Sequence, residues 1–195
     1  MQGNRHASQL RQVMAVVRRE FVHIDWHGTH GSRHWARVRL HGLAIAAGTG
    51  ASIRVVELFA FLHDARRRDE WVDPGHGVRS ALLVRELGAE ALGVSPEEEE
   101  LLAFACRHHS DGMVDADISV QACWDADRLD LGRVGIAPDP DLLCTGAARD
   151  LLRANPAWFA HGRRHARWAD RRIWRKGGGP ASGIVPGSAF FAGQR

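Results

Sequence analysis

Over its first 160 positions the chain places apolar residues three and four apart, the spacing of helices that each bury one face. Leu10, Val13, Met14, Val17 and Phe21 form the first stripe and predict a helix over 8–25, with Ser8 as its cap. The Gly-rich run HGTHG at 27–31 interrupts it. Further helices are expected over 32–47, over 52–64, and from Gly75 to Gly88 or Gly93. Ser95-Pro96-Glu97-Glu98 joins a cap, a first-turn proline and acids at the positive dipole end, starting a helix that runs to His109. Two more are expected over 118–131 and 141–154, and a basic, Trp-containing one within 157–175. No stretch alternates as a half-buried strand does. The expected fold class is all-α: a compact bundle of about seven or eight helices over residues 1–160. A basic terminal segment (161–176) and a disordered Gly/Pro-rich tail (177–195) follow it.

Several stripes are interrupted by ionisable residues. His63 lies in line with Val56 and Phe59, and Asp64 follows at the helix end. His108 stands behind Leu101 and Ala105, and His109 behind Leu102 and Cys106. Asp127 shares a face with Val120 and Trp124, and His34 with Val38 and Ile45. A carboxylate turned into a core is costly unless paired or metal-bound, so His and Asp from four helices point to a shared cation. Imidazole and carboxylate donors suit Mn, Fe, Co, Ni, Mg or Zn, and no Cys pair suggests a structural zinc site.

Composition narrows the field further. Three scattered cysteines give no disulfide framework, and no signal-peptide core or 18-residue apolar run occurs, so a cytoplasmic protein without a membrane partner is expected. The net charge of +3 misleads as a sign of nucleic-acid binding: residues 161–195 carry seven Arg and one Lys against one Asp, leaving the rest net acidic. Basic and Trp residues interleave at 163–175, which keeps nucleic acid as a secondary partner. Neither a phosphate-cradling GxxxxGK[ST] nor a GxSxG elbow is present.

Taken in order, His34, His63-Asp64 and Asp127 read H…HD…D, within the words SRHWARV, LFAFLHD, CRHHSDG and CWDADRLDLGRVGI. Over residues 20–137 the chain resembles the HD superfamily of metal-dependent phosphohydrolases, most of all its short stand-alone bacterial members. It lacks the GYP word of the cyclic-dinucleotide branch. The resemblance implies His34, His63, Asp64 and Asp127 as ligands of one metal, with Asp130 as an outer or capping acid. It implies His76 and His108 or His109 either as ligands of a second ion bridged by Asp64 or as phosphate-binding groups. The catalytic assignments it suggests are Asp64, as ligand and proton acceptor, together with Arg67, His108 and His109. Arg66, Arg68, Arg37 and Arg107, and more weakly Arg33 and Arg128, are further candidates for phosphoryl charge. His6, His23, His27, His30, His161 and His165 read as solvent-facing, and His41 is left open.

The expected activity is hydrolysis of a nucleotide or other small phosphorylated metabolite by a metal-activated water. Six ligands would also suit a di-iron oxygenase of the same fold, and a non-catalytic regulatory module is the third reading.

Overall fold

The computed structural model describes residues 2–156 and 159, and every regular element in them is helical. Seven α-helices follow in order: α1 (Gln2–Glu20), α2 (Ser32–Thr49), α3 (Ile53–Leu62), α4 (His76–Leu92), α5 (Pro96–His108), α6 (Ile118–Arg128) and α7 (Gly146–Ala154). Short 3-10 turns at Leu131–Val134 and Pro140–Leu142 join α6 to α7. The all-α expectation holds, and no described helix is long and apolar enough to cross a membrane. The basic helix expected within 157–175 and the tail at 177–195 lie outside the described residues.

Local chemistry explains most of the boundaries. Ser52 accepts the N–H of Val55 at the start of α3, and Thr145 that of Ala148 at the start of α7. Ser95 and Glu98 form a reciprocal capping box at α5. Gly50 and Gly93 close α2 and α4 in the left-handed conformation. Gly88, the earlier stop expected for α4, is instead a kink inside it. The first helix begins at Gln2 and not at Ser8, because nothing at positions 2–7 interrupts it.

Helix α3, IRVVELFAFL, is the central element, with all but Ile53 buried and neighbours α1, α2, α4, α5 and α6 around it. A helix apolar on every side belongs in a core. Helices α2 and α6 pack together on one side of α3, and α4 and α5 pair on the other. Gly42 brings α2, α3 and α6 close: a Cβ there would meet Val56 Cγ1 at 2.4 Å and the Ala126 Cβ at 3.4 Å. The chain between α1 and α2 is fixed by edge-on contacts among Phe21, Trp26 and Trp35, with ring centroids 4.8–6.0 Å apart. Polar side chains from α2, α3, α4, α5 and α6 can therefore meet around the C-terminal end of α3.

Candidate metal centre

His63 caps α3 and Asp64 follows it, so the pair sits where the central helix stops and its side chains face the neighbouring helices. Phe59 stacks on the His63 ring at 4.9 Å, and the Phe59 carbonyl accepts its Nδ1–H at 3.0 Å. The Nε2 of His63 then faces the Nε2 of His34 from α2, 3.0 Å away. His34 donates through Nδ1 to Asp130 Oδ2 at 2.7 Å. Asp127 of α6 completes the group, its Oδ1 3.3 Å from His34 Nε2 and receiving no hydrogen bond among the described residues.

A second group adjoins the first. His76, the first residue of α4, donates Nδ1–H to the carbonyl of Asp73, and His109, just past α5, donates to that of Cys106 at 2.7 Å. Their Nε2 atoms are 2.8 Å apart. Asp64 lies between the groups. Its Oδ2 is 3.6 Å from His63 Nε2 and 3.9 Å from His34 Nε2, while its Oδ1 is 3.5 Å from His76 Nε2 and 3.9 Å from His109 Nε2. The donor atoms within each set, His34/His63/Asp127 and Asp64/His76/His109, lie within 4.8 Å of one another.

These contacts fix the tautomers. With Nδ1–H donating to oxygen, each of the four imidazoles presents a bare Nε2 lone pair. Two such lone pairs 2.8–3.0 Å apart cannot hydrogen-bond to each other. They repel unless a cation lies between them and the carboxylates. Outer partners on Nδ1 are what orient metal-binding histidines.

Electrostatics agree with that donor set. Burial lowers the pKa of His34 to about 3 and also pulls His76 and His109 down, which keeps their rings neutral. Burial pushes the Asp127 carboxyl up, but Arg133 and then His34 and His63 bring it down to about 2. Asp64 is likewise raised by burial and carried well below the carboxylate range by His63, His109, Arg67 and His76. His34, His76 and His109 therefore stand as neutral imidazoles beside ionised carboxylates, the forms that bind divalent ions.

Gly77 permits the close approach of the second group. A Cβ there would stand 2.6 Å from the Arg107 carbonyl and 2.8 Å from that of Cys106. The first turn of α4 thus rests directly on the end of α5.

Several sequence expectations change on the structure. His109, not His108, joins the centre: the buried stripe of α5 is Leu102, Ala105 and Cys106, whereas His108 is part-exposed and bonded to Asp111 at 2.7 Å. Asp130 takes the outer role, accepting from His34 and from both sides of the Arg37 guanidinium (2.5 and 2.9 Å). Arg37 is therefore engaged behind the centre. Arg66 is held by Glu20 and Glu86, Arg68 and Arg107 are exposed, and Arg128 braces the carbonyls of Met113 and Leu142. Arg67 reaches Asp64 Oδ1 at 3.3 Å. Arg133, missed in the sequence because it sits in a 3-10 turn with no stripe, lies 3.6 Å from Asp127 Oδ1.

His30 was also misread as solvent-facing. It is buried beside His34, with ring centroids 6.2 Å apart, and its Nδ1 meets Glu70 Oε2 at 2.9 Å. The Gly-rich setting hid a residue that the aromatic contacts of Trp26 and Trp35 fold inward. His23 and His27 are exposed, as expected, and His6 is half-buried on Glu57. His41 is buried, its Nδ1 3.3 Å from the Ala126 carbonyl, and belongs to neither donor set. His161 and His165 lie outside the described residues. No protein-family profile, curated protein or solved structure matches the chain, so the chemistry has to be argued from the centre itself.

Proposed function

We propose that this chain is a metal-dependent phosphohydrolase with a dinuclear centre, acting on a small phosphorylated metabolite. One observation carries the reading: four buried imidazoles turn bare Nε2 atoms toward each other around a carboxylate whose two oxygens face different pairs. The order H…HD…D along the sequence supports the same reading. His34, His63 and Asp127 would hold one ion, His76 and His109 the other, and Asp64 would bridge them. Divalent ions bound there supply Lewis acidity and a water of lowered pKa.

The protein's own groups then have distinct tasks. Asp64 and Asp127, ionised throughout the working range, fix the attacking water by accepting its hydrogen bonds. Asp64, whose two oxygens face the two imidazole pairs, serves as the acceptor that orients this water. Asp130 holds the His34 ring in place. Arg67 spends Nε on the Asp69 carbonyl and Nη1 on Asp64, leaving Nη2 for a phosphoryl oxygen. With Arg133 beside Asp127, it offsets the charge that develops on that oxygen. His108, bonded to Asp111 at the surface, has no part in this scheme.

The same six donors also suit two irons that activate O₂, and one experiment separates the readings. Elemental analysis of the purified protein is followed by phosphate-release assays with Mn²⁺, Co²⁺ and Ni²⁺ on phosphomonoesters, phosphodiesters and nucleoside triphosphates. About two ions per chain and metal-dependent phosphate release are expected. Two irons with oxygen-dependent turnover and no phosphate release would install the oxygenase instead. Absence of bound metal under every condition would remove both.

A further inference from the structure

The two donor sets are unequal in charge. His34 and His63 stand with Asp127 and with Oδ2 of Asp64, so two carboxylates face the first set. Among the described residues, His76 and His109 have only Oδ1 of Asp64, at 3.5 and 3.9 Å. Asp130, the next carboxylate behind the centre, is already engaged by His34 and Arg37.

The oxygen left to the second set is also shared with a cation. Arg67 Nη1 donates to Asp64 Oδ1 at 3.3 Å. Its side chain is buried and held at two further points: the backbone N–H donates to the Asp64 carbonyl at 3.0 Å, and Nε to the Asp69 carbonyl at 2.9 Å. The first set is less encumbered. Arg133 stands 3.6 Å from Asp127 Oδ1, which receives no hydrogen bond among the described residues. Buried charges are poorly screened, so like charges this close oppose each other strongly. An ion entering between His76, His109 and Oδ1 therefore meets a positive charge already in place. Two divalent ions beside Arg67 and Arg133 would outweigh the charge of Asp64 and Asp127, and an anion is what the site would then lack.

We propose that the second ion and a phosphoryl anion bind to this chain as a pair, with Arg67 as the element that couples them. This coupling rests on the dinuclear phosphohydrolase reading and adds a regulation to it. The first donor set fills with metal alone, and the second fills tightly when an anion offsets the Arg67 charge. Both ions are taken up at excess metal; they differ in affinity and in what tightens them. Coupling of this kind is reciprocal, so the second ion tightens the anion by the same factor as the anion tightens the ion. Departure of phosphate and loosening of the second ion then favour one another. In this role Arg67 acts through its charge on a site that it does not ligate.

The test is equilibrium dialysis of the full-length protein against Mn²⁺, with and without inorganic phosphate, at matched ionic strength and with free metal measured. Wild type is expected to bind one ion tightly and a second more weakly. Phosphate should tighten the second by about tenfold, within the range usual for coupled sites, and leave the first nearly unmoved. His109→Ala should remove the second step and spare the first, which locates the phosphate-sensitive ion. Arg67→Gln, which is neutral, should tighten the second ion in the absence of phosphate and shrink the effect of phosphate. That tightening is a gain which a damaged loop would not give. Arg67→Lys keeps the charge and should behave as wild type does. Two ions of equal affinity, both indifferent to phosphate, would overturn the coupling and leave the dinuclear reading standing. So would identical behaviour of the Gln and Lys variants. A single ion in wild type at excess metal, with phosphate present, would remove the dinuclear reading and this proposal together.

Discussion

Two buried clusters of ionisable side chains adjoin α3, one at its middle and one past its C-terminal end, and they are built on opposite principles. At Glu57 a carboxylate is surrounded by donors: Arg39 donates to Oε1, Arg54 lies 3.5 Å from Oε2, and His6 reaches Oε2 at 2.6 Å. Arg54 also donates to the Leu92 carbonyl. The buried carboxylate there meets its complement in two guanidinium groups, and Arg54 Nη1 also lies 3.2 Å from His6 Nε2. At the C-terminal end of the helix the same kind of burial gathers four lone pairs and two carboxylates, with too few donors to satisfy them. The first cluster is finished as folded. The second is left with lone pairs that face one another.

Asp125 and Asp127, two residues apart on α6, repeat the contrast in miniature. Asp125 accepts from the Cys144 and Thr145 N–H groups and the Thr145 hydroxyl, all at 2.7–2.8 Å, and so ties α6 to α7. Asp127 turns an oxygen without a hydrogen bond toward His34.

The contrast is sharpest if Asp64 is made neutral. Asp64→Asn keeps the shape but removes the charge shared by both donor sets. It should reduce phosphate release by more than the roughly 10–100-fold typical of losing an outer partner. Bound metal should fall with it, while the metal-free protein stays folded by circular dichroism. Full activity in this variant would end the dinuclear reading.

Next in size, Glu57→Ala should leave Arg39 and Arg54 buried without a partner and cost about 3–5 kcal/mol in denaturant unfolding. Metal content per folded chain should not change. If the metal fell away as well, the two clusters would be one system.

Asp130→Asn frees the His34 ring from its carboxylate and should weaken metal affinity by about 10–100-fold, measured by competition with a chelator. A further effect concerns pH. His34 takes a proton near 6.5 when unfolded but only near 3 when folded, and His76 and His109 shift in the same direction. The unfolded chain thus binds more protons in between, and the metal-free protein should lose stability as pH falls below about 6.5. Each such imidazole contributes up to about 1.4 kcal/mol per pH unit. The carboxyl of Glu57 acts only below its ordinary 4.5, since its shift is downward, and adds nothing to the upper part of this slope. A thermal midpoint that stayed level between pH 7.5 and 5.5 would contradict the neutral, lone-pair-bearing state of these rings.

Much of this was legible in the sequence wherever periodicity or caps governed the outcome. The described helices from Ser32 to Arg128 sit close to their expected bounds, because Ser52, Ser95, Gly50 and Gly93 punctuate them strongly, whereas α7 starts behind its Thr145 cap at Gly146 and not at Asp141. His34, His63 and Asp127 share a face with buried apolar residues in the sequence pattern, and Asp64 follows His63 at the helix end. That pattern fails where tertiary contacts decide. Of two adjacent histidines past a helix end, periodicity alone could not choose His109 over His108. His30 and Arg133 lie outside any stripe. Only the folding of the 21–31 segment onto Trp35 and the turn after α6 carries them inward.

The backbone contact under Gly77 has a wider meaning. One hydrogen atom in place of a methyl group keeps the N-terminus of α4 seated on α5, and with it the spacing between His76 and His109. The opposite donor set, on α2, α3 and α6, does not depend on that seat. On the dinuclear reading proposed above, the second ion would depend on this steric gauge between two helix ends, and a chain with an identical inventory of ligands but a bulkier residue there would hold one ion.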